Sequence, residues 1–180
     1  SAASDVYKRQ FKKLTAALAV CAVMASALPV VPNMVSAASN IISNSTFDSG
    51  ITGWSTYKES GGVCSLSTEN GCLALTVSNV GKVNYAVQVF YDIVPLYQNG
   101  VYRLKYDISS STDRYIEGMI QQNGGTYQAY TWKGLELTSV PQTVDYEFTM
   151  KAETDIMSKL VFNCGIQEKH EGVLPEHKIY

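Results

Sequence analysis

In Val101-Tyr102-Arg103-Leu104-Lys105-Tyr106-Asp107-Ile108, the residues Tyr102, Leu104, Tyr106 and Ile108 share one face of an extended chain, while Arg103, Lys105 and Asp107 share the other. Such a strand packs one face on a core and turns the other to water, as strands of antiparallel sheets do. The same period-two alternation recurs on both sides of it, between clusters of Gly, Asn, Ser and Pro, and helical periodicity is absent after Ala38. The pattern predicts an all-β sandwich with strands near 40–42, 53–57, 63–67, 73–77, 84–91, 101–109, 115–121, 127–131, 144–151 and 159–164, and a last one starting at Lys178.

The N-terminal stretch reads differently. Lys8, Arg9, Lys12 and Lys13 precede an apolar run over 14–31 and then Val35-Ser36-Ala37, which is the order of a secretory signal peptide. Pro29 and Pro32 interrupt the run and the flank after it is uncharged, which argues against a membrane anchor. Residues 1–9 are read as non-native scar residues, since the first methionine is Met24. Residues 10–37 are read as the leader, cut after Ala37 or Ala38. The rest, 38–180, is about 140 residues, enough for one domain with a sizeable core. It is expected to be secreted, with no membrane contact after cleavage.

Formal net charge is −2, with no Lys/Arg cluster outside the leader, so the electrostatic footprint of a nucleic-acid binder is missing. Twelve tyrosines point instead to half-wet surfaces, because tyrosine joins an apolar face to a hydroxyl. Sugars are ligands of that kind.

Catalytic constellations are not evident. Hydrolysis of a glycosidic bond needs two carboxylates facing each other across a groove. No strand carries two such residues at period two with aromatics interleaved except Asp145 and Glu147, which lie opposite Val144, Tyr146 and Phe148 and read as a solvated face. No nucleophile elbow is present, and His170 and His177 fall in a polar loop. Cysteine spacing fits no metal site. Cys64 and Cys72 flank the turn 65–71, where facing hairpin strands in an oxidising compartment would join them as a disulfide. Cys164, at period two with Leu160 and Phe162, reads as a buried thiol.

Asn40-Ile41-Ile42, Phe47-Asp48-Ser49-Gly50, Gly53-Trp54, Asn70-Gly71, Gly100-Val101-Tyr102, Gln122-Asn123-Gly124 and Phe162-Asn163-Cys164-Gly165 occur in an order and spacing that resembles family 4 and related carbohydrate-binding modules of secreted bacterial cellulases and xylanases. The likeness covers nearly the whole of 38–180 and lacks only the family's final strand, so the module is read as truncated before it. The resemblance implies a galactose-binding-like jelly roll of two antiparallel sheets whose concave face forms a cleft for one glycan chain. It places stacking aromatics at Tyr57 and Tyr127 and polar cleft positions at Asp92, Glu117, Asn123, Lys159 and Asn163. Gln88 and Gln121 join them as candidate amides.

Residue faces support the placement: Glu117, Met119 and Gln121 oppose Ile116 and Ile120, and Lys159, Val161 and Asn163 oppose Leu160, Phe162 and Cys164. A pyranose stacks its axial C–H face on aromatic rings and needs hydrogen-bond partners for its hydroxyls. Trp54 is expected in the core. The resemblance also implies a structural calcium near Thr46 and Gly71, bound weakly or not at all without the final strand. The expected function is non-catalytic binding of β-1,4-glucan, mixed-linkage β-glucan or xylan, which targets a covalently appended glycoside hydrolase. A catalytic glycanase of sandwich fold and a structural or adhesive cell-surface domain are the alternatives.

Overall fold

In a computed structural model, residues 39–166 are described together with the backbone of 15–19. Among the described residues there are ten strands: β1 (Thr15–Ala19), β2 (Trp54–Lys58), β3 (Gly62–Glu69), β4 (Cys72–Val80), β5 (Val87–Tyr91), β6 (Val101–Ile108), β7 (Arg114–Gln121), β8 (Ala129–Leu137), β9 (Gln142–Thr149) and β10 (Lys159–Asn163). One layer is a five-stranded sheet in the order β2-β5-β10-β7-β8. Opposite it stand the sheet β1-β6-β9 and the hairpin β3-β4, and every pairing is antiparallel. β1, from the segment read as a leader, pairs along Val101–Lys105 of β6.

The alternation in β6 is realised as read. Tyr102, Leu104, Tyr106 and Ile108 are buried, and Arg103 and Lys105 are exposed. Across the sandwich they meet Trp54, Val89, Tyr91, Ile116, Ile120, Leu160 and Phe162 from the inner face of the five-stranded sheet. Tyr106 stands edge-on to Phe162, with ring centroids 5.2 Å apart. Trp54 packs between Phe47 (5.7 Å) and Tyr91 (5.4 Å), and its indole N–H donates to the Asn44 carbonyl at 3.3 Å. Asp145 lies on the wet face of β9, where Arg103 grips it through two hydrogen bonds of 2.7 and 2.6 Å. That guanidinium holds its carboxyl below the usual range, so Asp145 is the partner of an ion pair and not half of a catalytic dyad.

Several expectations are corrected. The strand at 40–42 reduces to a single bridge residue at Asn40. The strand expected at 127–131 begins at Ala129 and runs to Leu137. The expected Cys64–Cys72 bridge does not form, and none of Cys64, Cys72 and Cys164 is in a disulfide. The reason is register: the tight turn at Asn70-Gly71 sets Cys72 opposite Glu69 and Cys64 opposite Val77. Five residues of strand separate Cys64 from Glu69, roughly 17 Å at the rise of an extended chain. A disulfide needs Cα atoms about 4.4–6.8 Å apart. The last expected strand, from Lys178, and His170 and His177 lie outside the described residues.

Candidate functional site

The outer face of the five-stranded sheet, turned away from the core, carries the candidate residues. Antiparallel register lines up its side chains in rows that run across the strands. One row is Tyr57, Gln88, Asn163, Glu117 and Gly134, from β2 to β8. The next is Ser55, Phe90, Val161, Met119 and Trp132. A third joins Lys159 to Gln121, with Asp92 at the end of β5 beside them. An apolar strip therefore runs between two polar rails. From Phe90 to Trp132, three inter-strand spacings of about 4.8 Å make it roughly 14 Å long.

The polar rails are built, not merely exposed. Gln88 Nε2 donates to Asn163 Oδ1 at 2.8 Å, and Asn163 Nδ2 donates to Glu117 Oε2 at 3.0 Å. Asn84 Nδ2 donates to the same Glu117 oxygen at 2.9 Å. Gln88 and Asn163 are buried, so this chain satisfies amides that burial would otherwise penalise. Gln88 Oε1 and Glu117 Oε1 are not consumed by it and can accept hydrogen bonds from hydroxyls. On the other rail Asn123 Nδ2 donates to Asp92 Oδ1 at 3.0 Å. The Lys159 ammonium lies 5.1 Å from the Phe90 ring centroid and 5.6 Å from that of Tyr127. Burial lowers the Lys159 pKa, and the nearby Asp92 carboxylate partly offsets this.

Two rings stand out of this face into solvent, Tyr57 (44% exposed) and Tyr127 (57%). Tyr127 comes from the loop between β7 and β8, where a positive φ of 55° turns it back over Lys159. The Tyr57 hydroxyl donates to Glu59 Oε2 at 2.6 Å, and that carboxylate raises its pKa, helped by slight burial and by the neighbouring Tyr127 and Tyr85. Tyr115, across from Glu136, leans over Gly134 so closely that a Cβ there would meet its hydroxyl. It closes the β8 end of the first rail.

All nine residues expected in the cleft, namely Tyr57, Gln88, Asp92, Glu117, Gln121, Asn123, Tyr127, Lys159 and Asn163, thus fall on this face or its rim. Sequence reasoning missed Phe90, Trp132, Asn84 and Tyr85. The signal for Phe90 was available, because it shares the alternation of Gln88 within β5. Trp132 lay beyond the strand expected to end at Thr131.

Thr46 and Gly71 take no part in this face. Thr46 Oγ1 donates to Asp48 Oδ2 at 2.6 Å, and Gly71 can offer only backbone. Among the described residues no three His, Cys, Asp or Glu side chains are grouped for a metal. Calcium takes six to eight oxygens, so these donors fall short on their own.

The geometry agrees with what the chain is similar to. Residues 39–169 match the model of a family described as a carbohydrate binding domain. The chain belongs to this family. Endoglucanase C of Cellulomonas fimi is 33% identical over 135 residues, 74% of this chain and 12% of that protein. A cellulose 1,4-beta-cellobiosidase of Acetivibrio thermocellus is 30% identical over 132 residues, 67% of this chain and 15% of that protein. The chain thus spans a small part of the relatives it matches. A solved CBM4 structure superposes with a TM-score of 0.65 at 21% identity, covering 69% of this chain and 89% of that one, which supports the sandwich fold. The domain is a carbohydrate-binding module, a non-catalytic binding unit that makes up a small part of the cellulose-degrading relatives it matches.

Proposed function

We propose that the module holds a single β-glucan or xylan chain across the five-stranded sheet, and that in its parent protein it keeps an exported glycoside hydrolase on that polysaccharide. The observation that carries this reading is the apolar strip Phe90–Val161–Met119–Trp132 set between the two polar rails. A pyranose is apolar on its faces and polar around its edge. Rings lying along the strip bury C–H surface against the half-buried Phe90 and Trp132, while their equatorial hydroxyls reach the amides and carboxylates on either side. Tyr57 and Tyr127 add stacking surfaces that need little adjustment, because a tyrosine side chain has few torsions to freeze. The two named relatives are cellulases, which supports a β-1,4-linked glucan as ligand. Xylan shares that linkage and the same alternation of face and edge.

No covalent step is involved. Binding exchanges water on the half-buried Phe90 and Trp132 rings for C–H surface, Val161 and Met119 lying buried between them, and it uses hydrogen-bond acceptors already fixed by Asn84, Asn163 and Asn123. Electrophoresis in native gels containing soluble β-1,4-glucan, mixed-linkage β-glucan or xylan tests the reading. The module is expected to be retarded by at least one of them and to release no reducing sugar. Unchanged mobility in all three gels would refute it.

A further inference from the structure

Beside the second rail the surface turns apolar. Ile93, Ile156 and Met157 are 57%, 55% and 52% exposed. Ile93 directly follows the cleft residue Asp92, and Met157 precedes Lys159 by two. The backbone that presents them is pinned. Val94 N–H donates to the Ser158 carbonyl at 2.7 Å, and the Ser158 hydroxyl donates back to the Val94 carbonyl. Asp155 accepts from Met157 N–H at 2.8 Å and from the Tyr130 hydroxyl at 2.8 Å, and it bridges to Leu96.

Ile93 also stands at φ 60°, a conformation that β-branched residues avoid. Where β5 continues past Tyr91, the ladder would set Ile93 opposite Ser158, but the bond goes to Val94 instead. Ile93 is therefore an inserted residue of the bulge type, a device that re-aims a side chain beside a functional site. Isolated exposed aliphatics need no explanation. Three presented from two backbone segments pinned to each other, one of them strained, beside a row of candidate ligand contacts, do.

We propose that Ile93, Ile156 and Met157 form an apolar lip that lies against a second glucan chain, next to the one in the cleft, when the module binds an insoluble β-glucan. The inference rests on the polysaccharide reading above. Met157 is four residues from Val161 along the chain, about 13 Å at an extended rise, which is beyond the rings stacked on the strip. A lone soluble chain held on the strip leaves these side chains uncovered, whereas a second chain of a solid, lying beside the first, can cover them. Continuity with the cleft selects the glycan as occupant over a protein partner.

The test compares the parent with Ile93→Gly/Met157→Ser, using a soluble β-1,4-glucan hexamer and acid-swollen cellulose as probes. The expected result is hexamer affinity within about twofold of the parent and a fall of about tenfold on swollen cellulose. Val140→Ser, at an exposed site on the β8–β9 turn, is expected to change neither. The double variant should melt no lower than the parent, since glycine relieves the strain at position 93. If it does melt lower, Ile156→Ser/Met157→Ser on the unaltered Ile93 backbone replaces it. Equal loss on both probes, or no loss on cellulose, overturns the lip. A parent that binds neither probe overturns the polysaccharide reading and the lip with it.

Discussion

Trp54 and Tyr57 are three residues apart on β2, and strand parity sends them to opposite faces. Trp54 enters the core beside Tyr91, and Tyr57 stands over the cleft beside Gln88. Alanine at Tyr57 or Tyr127 should therefore cost binding by roughly 1–3 kcal/mol, a factor of about ten to a hundred, with little change in melting temperature. Alanine at Trp54 should instead cost about 3–5 kcal/mol of stability through the cavity it leaves. Calorimetric titration with a β-1,4-linked oligosaccharide, paired with a melt of each variant, separates the cases. Cys164 gives a pH test. Burial raises its thiol from 9.0 to about 12, with the Arg114 charge working in the opposite direction. A raised folded pKa contributes stability that is complete below the unfolded value and is lost as pH climbs from about 9 through about 12, because only the unfolded chain can ionise there. Cys164→Ala should flatten that alkaline decline in urea titrations. Both residues were legible in sequence, Trp54 as core and Cys164 as a buried thiol, because alternation alone assigns a face.

The β3–β4 hairpin shows where alternation stops informing. Period two gives each residue a face but not its partner, and the partner depends on how many residues the turn consumes. Here Asn70 and Gly71 both have positive φ, 53° and 73°, as a two-residue type I′ turn requires. A longer turn would have let Cys64 and Cys72 face each other, whereas the tight one sets Cys72 against Glu69. Unfolding 39–166 without reductant should consequently expose three reactive thiols, and the native domain should expose none, because all three are buried. Gly71→Ala should cost about 1–2 kcal/mol in thermal melts, since alanine disfavours the left-handed region. It should leave glycan affinity unchanged, because the hairpin belongs to the opposite layer. A similar blind spot hid Trp132. The register of β7 on β8 shifts between Ile120 and Gln121, at the start of β8, and past that point Thr131 to Leu137 pair without a break with Ile120 to Arg114. Local sequence announces neither turn length nor bulge position when several residues in the segment would serve.

For the whole molecule, the division of labour between layers determines what binding can accomplish. One layer packs its inner face on the core and turns outward the face proposed to hold ligand, so the proposed affinity resides in a sheet that need not move to engage a chain. The residues on that face are mostly uncharged, and the ligand proposed is neutral. Contacts of this kind are screened little by ions. Retardation in glucan gels should therefore persist at about 0.5 M salt, whereas a charge-driven interaction would fade. The same rigidity sets the consequence for the parent protein. In the proposed parent, tethering would convert capture of polysaccharide by an appended hydrolase from a bimolecular event into a local one, which matters only where substrate sites are many and immobile. Removing the module from the full-length enzyme should thus leave turnover of a short soluble oligosaccharide unaltered and lower the rate on insoluble β-glucan about tenfold at low enzyme loading. Tyr57→Ala/Tyr127→Ala in the intact chain should reproduce most of that loss without altering the length of the protein. If the double variant hydrolyses insoluble substrate as fast as the parent while the deletion does not, the module acts by spacing the catalytic domain, and the cleft is not what holds the enzyme to its polymer.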